Sequence, residues 1–229
     1  MQIDIISIFP GMFQGPFSES ILRRAEEMGS VTIRLHDLRE YATDKHRQVD
    51  DYPFGGGAGM VLKPEPLYHA LESIKGEAAV PVILTAANGT PYTQARAHEL
   101  SLLERMIIIC GHYKGIDQRV IDRWVDEEIS LGDFVLTGGE IPAMAIVDSV
   151  VRLQPGVLGD EDSARSDSFE DGLLEEPLFT RPAEYRGREV PEILLSGHHA
   201  NIAAWREEER LKRTLQRRSD LLDNKKRRE

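Results

Sequence analysis

The sequence is poor in cysteine and contains no long hydrophobic run. Its one cysteine, Cys110, cannot form an internal disulfide, and its apolar surroundings at 107–110 are typical of a reduced, cytosolic core. No stretch approaches the roughly 18 uninterrupted apolar residues of a membrane-spanning helix. The first ten residues lack the basic segment and cleavage site of a signal peptide. We therefore expect a cytoplasmic protein without a membrane partner.

Two common ligand signatures are also missing. Histidine and cysteine do not occur at the spacing of a metal site, so we expect no tightly bound metal. The glycine cluster at 55–59 is not followed by Gly-Lys-Ser/Thr, which excludes the phosphate-binding loop of the NTPases. Met60 stands where a dinucleotide-binding fingerprint needs its third glycine, so that class of site is excluded as well.

The chain has no overall excess of basic residues, because its formal net charge is -11. The charge is unevenly distributed: residues 205–229 contain ten Lys or Arg against six Asp or Glu. Phosphate contacts need nearby cations rather than a basic protein as a whole, so this tail could bind RNA. A solvated helix face with internal salt bridges explains the same charges equally well.

Hydrophobic residues make up 41% of the chain, enough for a substantial core. Short strand-like segments alternate with helical ones, which predicts an α/β domain with a mostly parallel sheet. The predicted strands cover 3–8, 31–35, 80–85, 106–110 and the start of 127–159. The predicted helices cover 17–28, 64–75 and 91–103, the first with Ser18 as its N-cap.

The stretch 127–159 has the pattern of a short strand, a glycine-punctuated loop and a long apolar helix. The helix pattern ends at Arg152, just before Gln154-Pro155-Gly156. An arginine at this end is favourable for the helix dipole, so capping is the simpler interpretation of Arg152. The alternative interpretation is a cation held beside a ligand.

Three predicted strands end in turns of small residues, at 85–89, 111–115 and 130–132. In open α/β sheets, ligands bind at the carboxyl ends of the strands. The three turns therefore predict a ligand site where they converge. The polar, glycine-rich segment 41–63 is either a mobile cover over such a site or a tight surface turn, and the two interpretations are about equal.

The chain changes character beyond Pro155. The segment 159–168 is acidic and without periodicity, which predicts a flexible linker. A helical pattern over 198–218, a short helix and a basic tail follow. We expect a first domain over 1–159, a linker over 160–167 and a small helical domain over 168–229.

Several motifs follow one another along nearly the whole chain. They are K-H-R-Q-V-D-D-Y-P-F-G-G-G-A-G-M from Lys45, C-G-H-Y-K-G-I-D-Q-R-V from Cys110, S-L-G-D-F-V-L-T-G-G-E-I-P-A-M from Ser130, R-L-Q-P-G-V-L-G from Arg152, D-S-F-E-D-G-L-L-E-E-P from Asp167 and L-L-S-G-H-H-A-N-I from Leu194. The series resembles the bacterial tRNA (guanine-N1)-methyltransferases, which modify the guanosine beside the anticodon. Lys114 is a departure, since the family usually has an acid there.

The resemblance implies an α/β domain with a deep trefoil knot, of the SPOUT class. It also implies a homodimer whose active site includes residues of the partner subunit, and S-adenosylmethionine as the methyl donor. The cofactor-binding residues that it implies are Thr85, Ala86, Gly111, Tyr113, Gly115, Ser130, Leu131, Gly132, Asp133, Phe134, Val135, Leu136, Gly138 and Gly139.

The catalytic residues that the resemblance implies are Asp167 and Arg152. Asp167 matches the family's proposed general base, and a carboxylate can accept the proton that guanine N1 loses. Arg152 matches a guanidinium beside the target base, where it would stabilise negative charge growing on O6. The candidate RNA contacts are Lys45, His46, Arg47, His198 and His199. A histidine pair at a helix start can also serve simply as a cap.

The expected function is transfer of a methyl group from S-adenosylmethionine to N1 of the guanosine at tRNA position 37. A knotted methyltransferase acting on a different RNA nucleotide is one alternative. A noncatalytic RNA-binding protein with the same fold is a second. The acidic net charge leaves open a third, an enzyme that acts on a small molecule.

Overall fold

The computed structural model describes residues 1–159 and 166–226. The chain divides into two compact units, Met1–Gly159 and Asp160–Glu229. Residues 160–165, most of the segment predicted as a linker, lie outside the described residues. Within the described ranges, no helix is both long and apolar enough to cross a membrane.

The first unit alternates strands and helices along the chain. Its strands are β1 (Gln2–Ser7), β2 (Thr32–Asp37), β3 (Asp50–Asp51), β4 (Val61–Leu62), β5 (Val82–Pro91), β6 (Arg105–Cys110) and β7 (Glu127–Ser130). Its α-helices are α1 (Gln14–Phe17), α2 (Ser20–Glu27), α3 (Pro64–Lys75), α4 (Gln94–Ser101), α5 (Gln118–Trp124) and α6 (Glu140–Val151). Short 3-10 helices cover Pro10–Phe13 and Leu38–Tyr41.

A five-stranded parallel sheet in the order β2-β1-β6-β5-β7 forms the centre of this unit. Strand residues alternate between two cores, as the period of two in a strand requires. On β6, Met106 and Ile108 pack with α6, whereas Ile107 and Ile109 pack with α3. Both faces are therefore buried, and the predicted α/β class with a mostly parallel sheet is confirmed.

Three local expectations differ from the structure. The helix expected at 17–28 is split into α1 and α2. Ser18 is the C-cap of α1, with its Oγ donating to Gly15 O (3.1 Å), and the N-cap of α2 is Glu19. Helix α5 was not predicted; its N-cap is Asp117, whose carboxylate accepts from Arg119 N. Strand β5 extends to Pro91, because the chain rejoins β7 after a register shift between Thr85 and Thr90.

The second unit contains a hairpin of β8 (Glu184–Tyr185) and β9 (Arg188–Glu189), followed by α7 (Glu192–Leu195), α8 (His199–Arg217) and α9 (Ser219–Lys226). Thr214 on α8 is fully buried, and its hydroxyl accepts the N–H of Leu174 (2.9 Å) and donates to Arg210 O (2.8 Å). Arg213 donates to two consecutive backbone carbonyls, Glu175 O and Glu176 O. These bonds attach the start of the unit to its long helix.

Candidate active site

A cavity of about 500 Å³ lies at the carboxyl ends of β5, β6 and β7. Its walls are the irregular part of β5 at 85–88, the turns that follow β6 and β7, and the loop before α6. The parallel sheet brings the turns together because strands that run in one direction end at one edge. The volume is within the range of small-molecule sites, roughly 300–1,000 Å³.

The chain passes very close to the end of β6 just before α6 begins. Gly139 N–H donates to Gly111 O (2.7 Å), and His112 forms an isolated antiparallel bridge with Gly138. Thr85 Oγ1 donates to the carbonyls of Ile109 and Gly139, at 3.2 Å each. A Cβ on Gly139 would overlap Thr85 Oγ1 and lie 2.7 Å from Gly111 N. Only glycine permits this approach.

The other two turns are also held by close backbone contacts. A Cβ on Gly89 would lie 2.6 Å from the backbone of Glu128, so the irregular part of β5 rests directly on β7. The turn after β7 is closed by Ser130, whose Oγ donates to Gly132 O (3.1 Å). Gly132 has a φ of 150°, a region that favours glycine. The cavity walls are therefore preformed rather than loose loops.

A buried carboxylate lies behind the cavity wall. Glu140, the first residue of α6, is 1% exposed and accepts a hydrogen bond from Ser7 Oγ (2.7 Å). His112 Nδ1 is 3.8 Å from Glu140 Oε2 and is buried without a hydrogen-bond partner among the described residues. Burial raises the pKa of the nearby Cys110 thiol well above its usual range, and the Glu140 charge adds to this effect. Cys110 is thus a neutral core residue rather than a nucleophile.

The cofactor residues suggested by the sequence converge on this cavity. Every one of them lines it except Asp133, which is exposed and is not among the lining residues. Several lining residues were not among the predicted cofactor-binding residues, including His112, Gln118, Glu128 and Thr137, and Lys114 was noted only as a departure from the family pattern. His112 and Lys114 alternate with predicted residues in the turn after β6, and this position in the sequence could have identified them as lining residues. Glu128 and Gln118 carried no such signal, because one is on an edge strand and the other begins the unpredicted α5.

A family model described as tRNA (Guanine-1)-methyltransferase TrmD matches residues 1–224. The chain belongs to this family. The tRNA (guanine-N(1)-)-methyltransferase of Geobacillus kaustophilus is 57% identical over 224 residues, covering 97% of this chain and 92% of the relative. The proteins of the same name from Halalkalibacterium halodurans and Chloroflexus aggregans are 54% and 56% identical, covering 99% and 97% of this chain and 93% and 88% of their own lengths.

The two residues expected from the resemblance to be catalytic lie in different units, and Arg152 does not line the cavity of its own unit. Arg152, in the first unit, is the C-cap of α6, and its N–H donates to Asp148 O (3.1 Å). The Arg152 side chain is half-buried and is engaged in a non-covalent interaction. Its position at the helix end therefore agrees with the capping interpretation.

Asp167, in the second unit, begins an ordered turn rather than lying in an open linker. Its carbonyl accepts from Glu170 N (3.4 Å), and Phe169 N donates to Leu173 O (2.7 Å). Ser168 Oγ accepts from Glu175 N (3.0 Å), which closes the same segment. Asp167 is half-buried, and its side chain is engaged in an interaction. These bonds order the backbone of the segment that carries Asp167.

The candidate RNA contacts are all on the surface. The Asp44 carboxylate accepts from His46 N and Gln48 N, at 2.9 Å each, and this turn exposes Lys45, His46 and Arg47. His198 is the N-cap of α8 but makes no side-chain capping hydrogen bond, so the cap interpretation fails for it. His199 lines a separate cavity within the second unit. In the described part of the chain, no three His, Cys, Asp or Glu side chains are grouped as metal ligands.

Proposed function

We propose that this chain transfers a methyl group from S-adenosylmethionine to N1 of the guanosine at tRNA position 37. The observation that carries the proposal is the match of residues 1–224 to the tRNA (guanine-1)-methyltransferase family, together with 54–57% identity to curated relatives of that name. The cavity at the carboxyl ends of β5, β6 and β7 supplies a site for the methyl donor. The acidic net charge does not oppose RNA binding, since phosphate contacts are local.

The cavity residues suit an S-adenosylmethionine molecule chemically. When bound, this cofactor supplies the methyl group. Apolar side chains such as Ile116, Leu131 and Phe134 offer contacts for an adenine ring, and Glu128 can accept hydrogen bonds from hydroxyl or ammonium groups. The glycine turns bring backbone N–H and C=O groups to the cavity, and a Cβ on Gly139 would push the loop before α6 away from Thr85 and Gly111 in the cavity wall. The cofactor-binding residues expected from the resemblance also line this cavity, Asp133 apart, whereas Ile116 and Glu128 were not among them.

We propose further that the first unit contains the trefoil knot of the SPOUT class. The support is the path of the chain after β7, which is an edge strand of the sheet. From that edge, Gly139 reaches the ends of β5 and β6 through Thr85 and Gly111, and Glu140 reaches β1 through Ser7. The chain thus returns from the edge strand past the three inner strands before α6 is buried. A chain threaded through a knot would follow such a path.

In the proposed chemistry, the chain accepts a proton from the base and stabilises a developing negative charge. Guanine N1 carries a proton at neutral pH, and the Asp167 carboxylate would accept it as N1 bonds to the methyl group and the methyl–sulfur bond breaks, which would leave a neutral thioether. Negative charge that develops on O6 is stabilised by the Arg152 guanidinium. Much of the remaining rate comes from holding the two substrates in line for displacement. In the homodimer that the resemblance implies, one site would combine Arg152 of one subunit with Asp167 of the other.

The proposal is tested by single-turnover methylation with labelled S-adenosylmethionine. The substrates are two tRNA transcripts that differ only in having guanosine or another base after the anticodon. We expect label on the guanosine transcript alone, and a loss of at least 100-fold for Asp167→Asn and Arg152→Ala. Glu27→Gln is the control, because Glu27 is an exposed acid on α2 paired only loosely with Arg23 (3.6 Å).

Each failure has a distinct meaning. An Asp167→Asn variant that reacts at the wild-type rate removes Asp167 as the base but leaves the reaction class intact. Labelling of both transcripts would redirect the proposal to a different RNA nucleotide. A wild-type protein that binds S-adenosylmethionine but never labels RNA would overturn the proposed substrate altogether.

A further inference from the structure

The hairpin formed by β3 and β4 presents two aromatic side chains to solvent. Phe54 is fully exposed, and Tyr52 is 78% exposed. Burial of a large apolar side chain normally stabilises a fold, so complete exposure of a phenylalanine is unfavourable for folding. Neither ring belongs to the two hydrophobic clusters on the faces of the sheet. The fold therefore gives no stabilising reason for a ring at Phe54.

The local backbone enforces this exposure. Gly56 N–H donates to Pro53 O (3.3 Å), so residues 53–56 form a β-turn with Phe54 at its second position. Gly55, the third residue, has a φ of 86°, which this kind of turn needs. At the base of the loop, Asp51 Oδ1 accepts from Tyr52 N (2.8 Å). Phe54 is thus held at the corner of an ordered turn.

The other end of the same loop is attached to the wall of the cofactor cavity. Lys114 N–H donates to Met60 O (3.0 Å), and Leu62 N–H donates to Gly115 O (3.0 Å). Lys114 and Gly115 both line the cavity. A Cβ on Gly59 would lie 2.8 Å from Lys114 Cγ, so the loop backbone rests on that side chain. The exposed rings therefore belong to a loop that borders the site where the methyl group would be transferred.

We propose that Phe54 is a stacking platform for an unpaired base of the RNA substrate, with Tyr52 beside it. This inference rests on the proposed function. A base methylated at N1 must leave its helical stack, and it or its neighbours then lose stacking partners. Aromatic side chains replace such partners for any base, because every base has a π face. The turn at 45–47 exposes two cations in the same segment, where they can meet the adjoining phosphates.

The test compares four substitutions by their effect on tRNA and on S-adenosylmethionine separately. We expect Phe54→Ala to raise the KM for tRNA on the order of tenfold, while the Kd for S-adenosylmethionine stays unchanged. Phe54→Trp should retain wild-type behaviour, since it keeps an aromatic face. Phe54→Leu should resemble the alanine variant, since it keeps bulk without stacking. Leu102→Ala is the matched control, because Leu102 is 84% exposed at the end of α4.

A spectroscopic measurement gives an independent readout. 2-Aminopurine, placed next to the target guanosine, should be quenched on binding to the wild type and Phe54→Trp but much less on binding to Phe54→Ala. If Phe54→Ala has the KM and the quenching of the wild type, the stacking role of Phe54 is overturned. Methylation by the wild type would still support the proposed function in that case. Full activity of Phe54→Leu would also overturn the inference, because leucine cannot stack on a base. A change in subunit association as the only defect of Phe54→Ala would overturn it as well, because the ring would then contact protein. A wild type that never methylates tRNA overturns both proposals.

Discussion

At the scale of single residues, the site depends on missing side chains as much as on present ones. Gly139 lies against Thr85 and Gly111 so closely that its backbone hydrogen-bonds to Gly111 O at 2.7 Å. Gly138 has the same role one residue earlier, because a Cβ there would overlap Glu140 Oε2 and His112 Nδ1. The cavity floor and the start of α6 thus meet without any space for a methyl group.

This packing predicts a large effect for Gly139→Ala. The added methyl group cannot be relieved by moving a flexible side-chain end, because Gly111 N and Cys110 Cα are backbone atoms. We expect the free energy of unfolding to fall by about 1–3 kcal/mol, and S-adenosylmethionine binding to be lost. Urea denaturation and calorimetric binding measure the two effects.

Gly15→Ala is the control for this substitution. Gly15 lies on α1, and a Cβ there would meet nothing within 4 Å. Wild-type stability and cofactor affinity in Gly139→Ala would contradict the close approach of the chain to the end of β6.

At the scale of elements, β1 is joined to both of its neighbours by one buried carboxylate. Asp4 is 1% exposed; His36 on β2 lies 2.8 Å from its Oδ1, and Arg105 on β6 donates to its Oδ2 (2.9 Å). Burial by itself would raise the pKa of Asp4, but hydrogen bonds from His36, Gln2 and Arg105 hold the pKa below its ordinary value. The charged carboxylate is therefore the form that holds the three strands together.

The lowered pKa predicts how stability depends on pH. Because the folded-state pKa of Asp4 is below the unfolded value of about 3.9, its contribution is complete above about pH 4. The contribution is lost as the pH falls through the folded-state pKa. We expect Asp4→Asn to lower the free energy of unfolding by about 1.5–3 kcal/mol at pH 7, and the difference from wild type to shrink below pH 4. A difference that stays constant from pH 7 to pH 3 would show that the Asp4 charge does not matter.

At the scale of the whole molecule, the residues matched to catalysis are divided between two units. Arg152 ends α6 in the first unit, and Asp167 begins the ordered turn of the second. A symmetric dimer places the same two surfaces together twice, so one subunit can complete the site of the other. The proposed shared site follows this arrangement.

Mixing two inactive variants tests the shared site directly. If each site takes Arg152 from one subunit and Asp167 from its partner, a heterodimer of Asp167→Ala and Arg152→Ala contains one intact site. After subunits exchange at equal concentrations, about a quarter of wild-type sites should be active, because about half of the dimers are heterodimers. Methyl transfer before and after exchange measures the recovery. If both residues come from the same subunit, no intact site forms and mixing restores nothing.

Much of the fold follows from local pattern. The alternating pattern at 3–8 and the continuous apolar run at 106–110 both predict strands, and both strands bury side chains on two faces because successive side chains point to opposite sides. Helix α3 was predicted with its observed bounds, since prolines suit its first turn and Gly76 ends it with positive φ. Helix α5 and the split between α1 and α2 were missed, because their seven, four and eight residues are too short for a clear period.

The sequence by itself determined the strand-end turns and therefore where a cavity would form, since parallel strands must end at a common edge. Only the tertiary structure decided that Gly139 packs on Gly111 and Thr85, that His112 faces Glu140, and that Glu128 and Gln118 join the cavity wall. These contacts connect residues far apart in the chain, and local propensity carries no information about such pairs. The exposure of Phe54 is also decided by the tertiary structure. An apolar residue can be proposed as functional only when the structure shows that it lies outside the hydrophobic core.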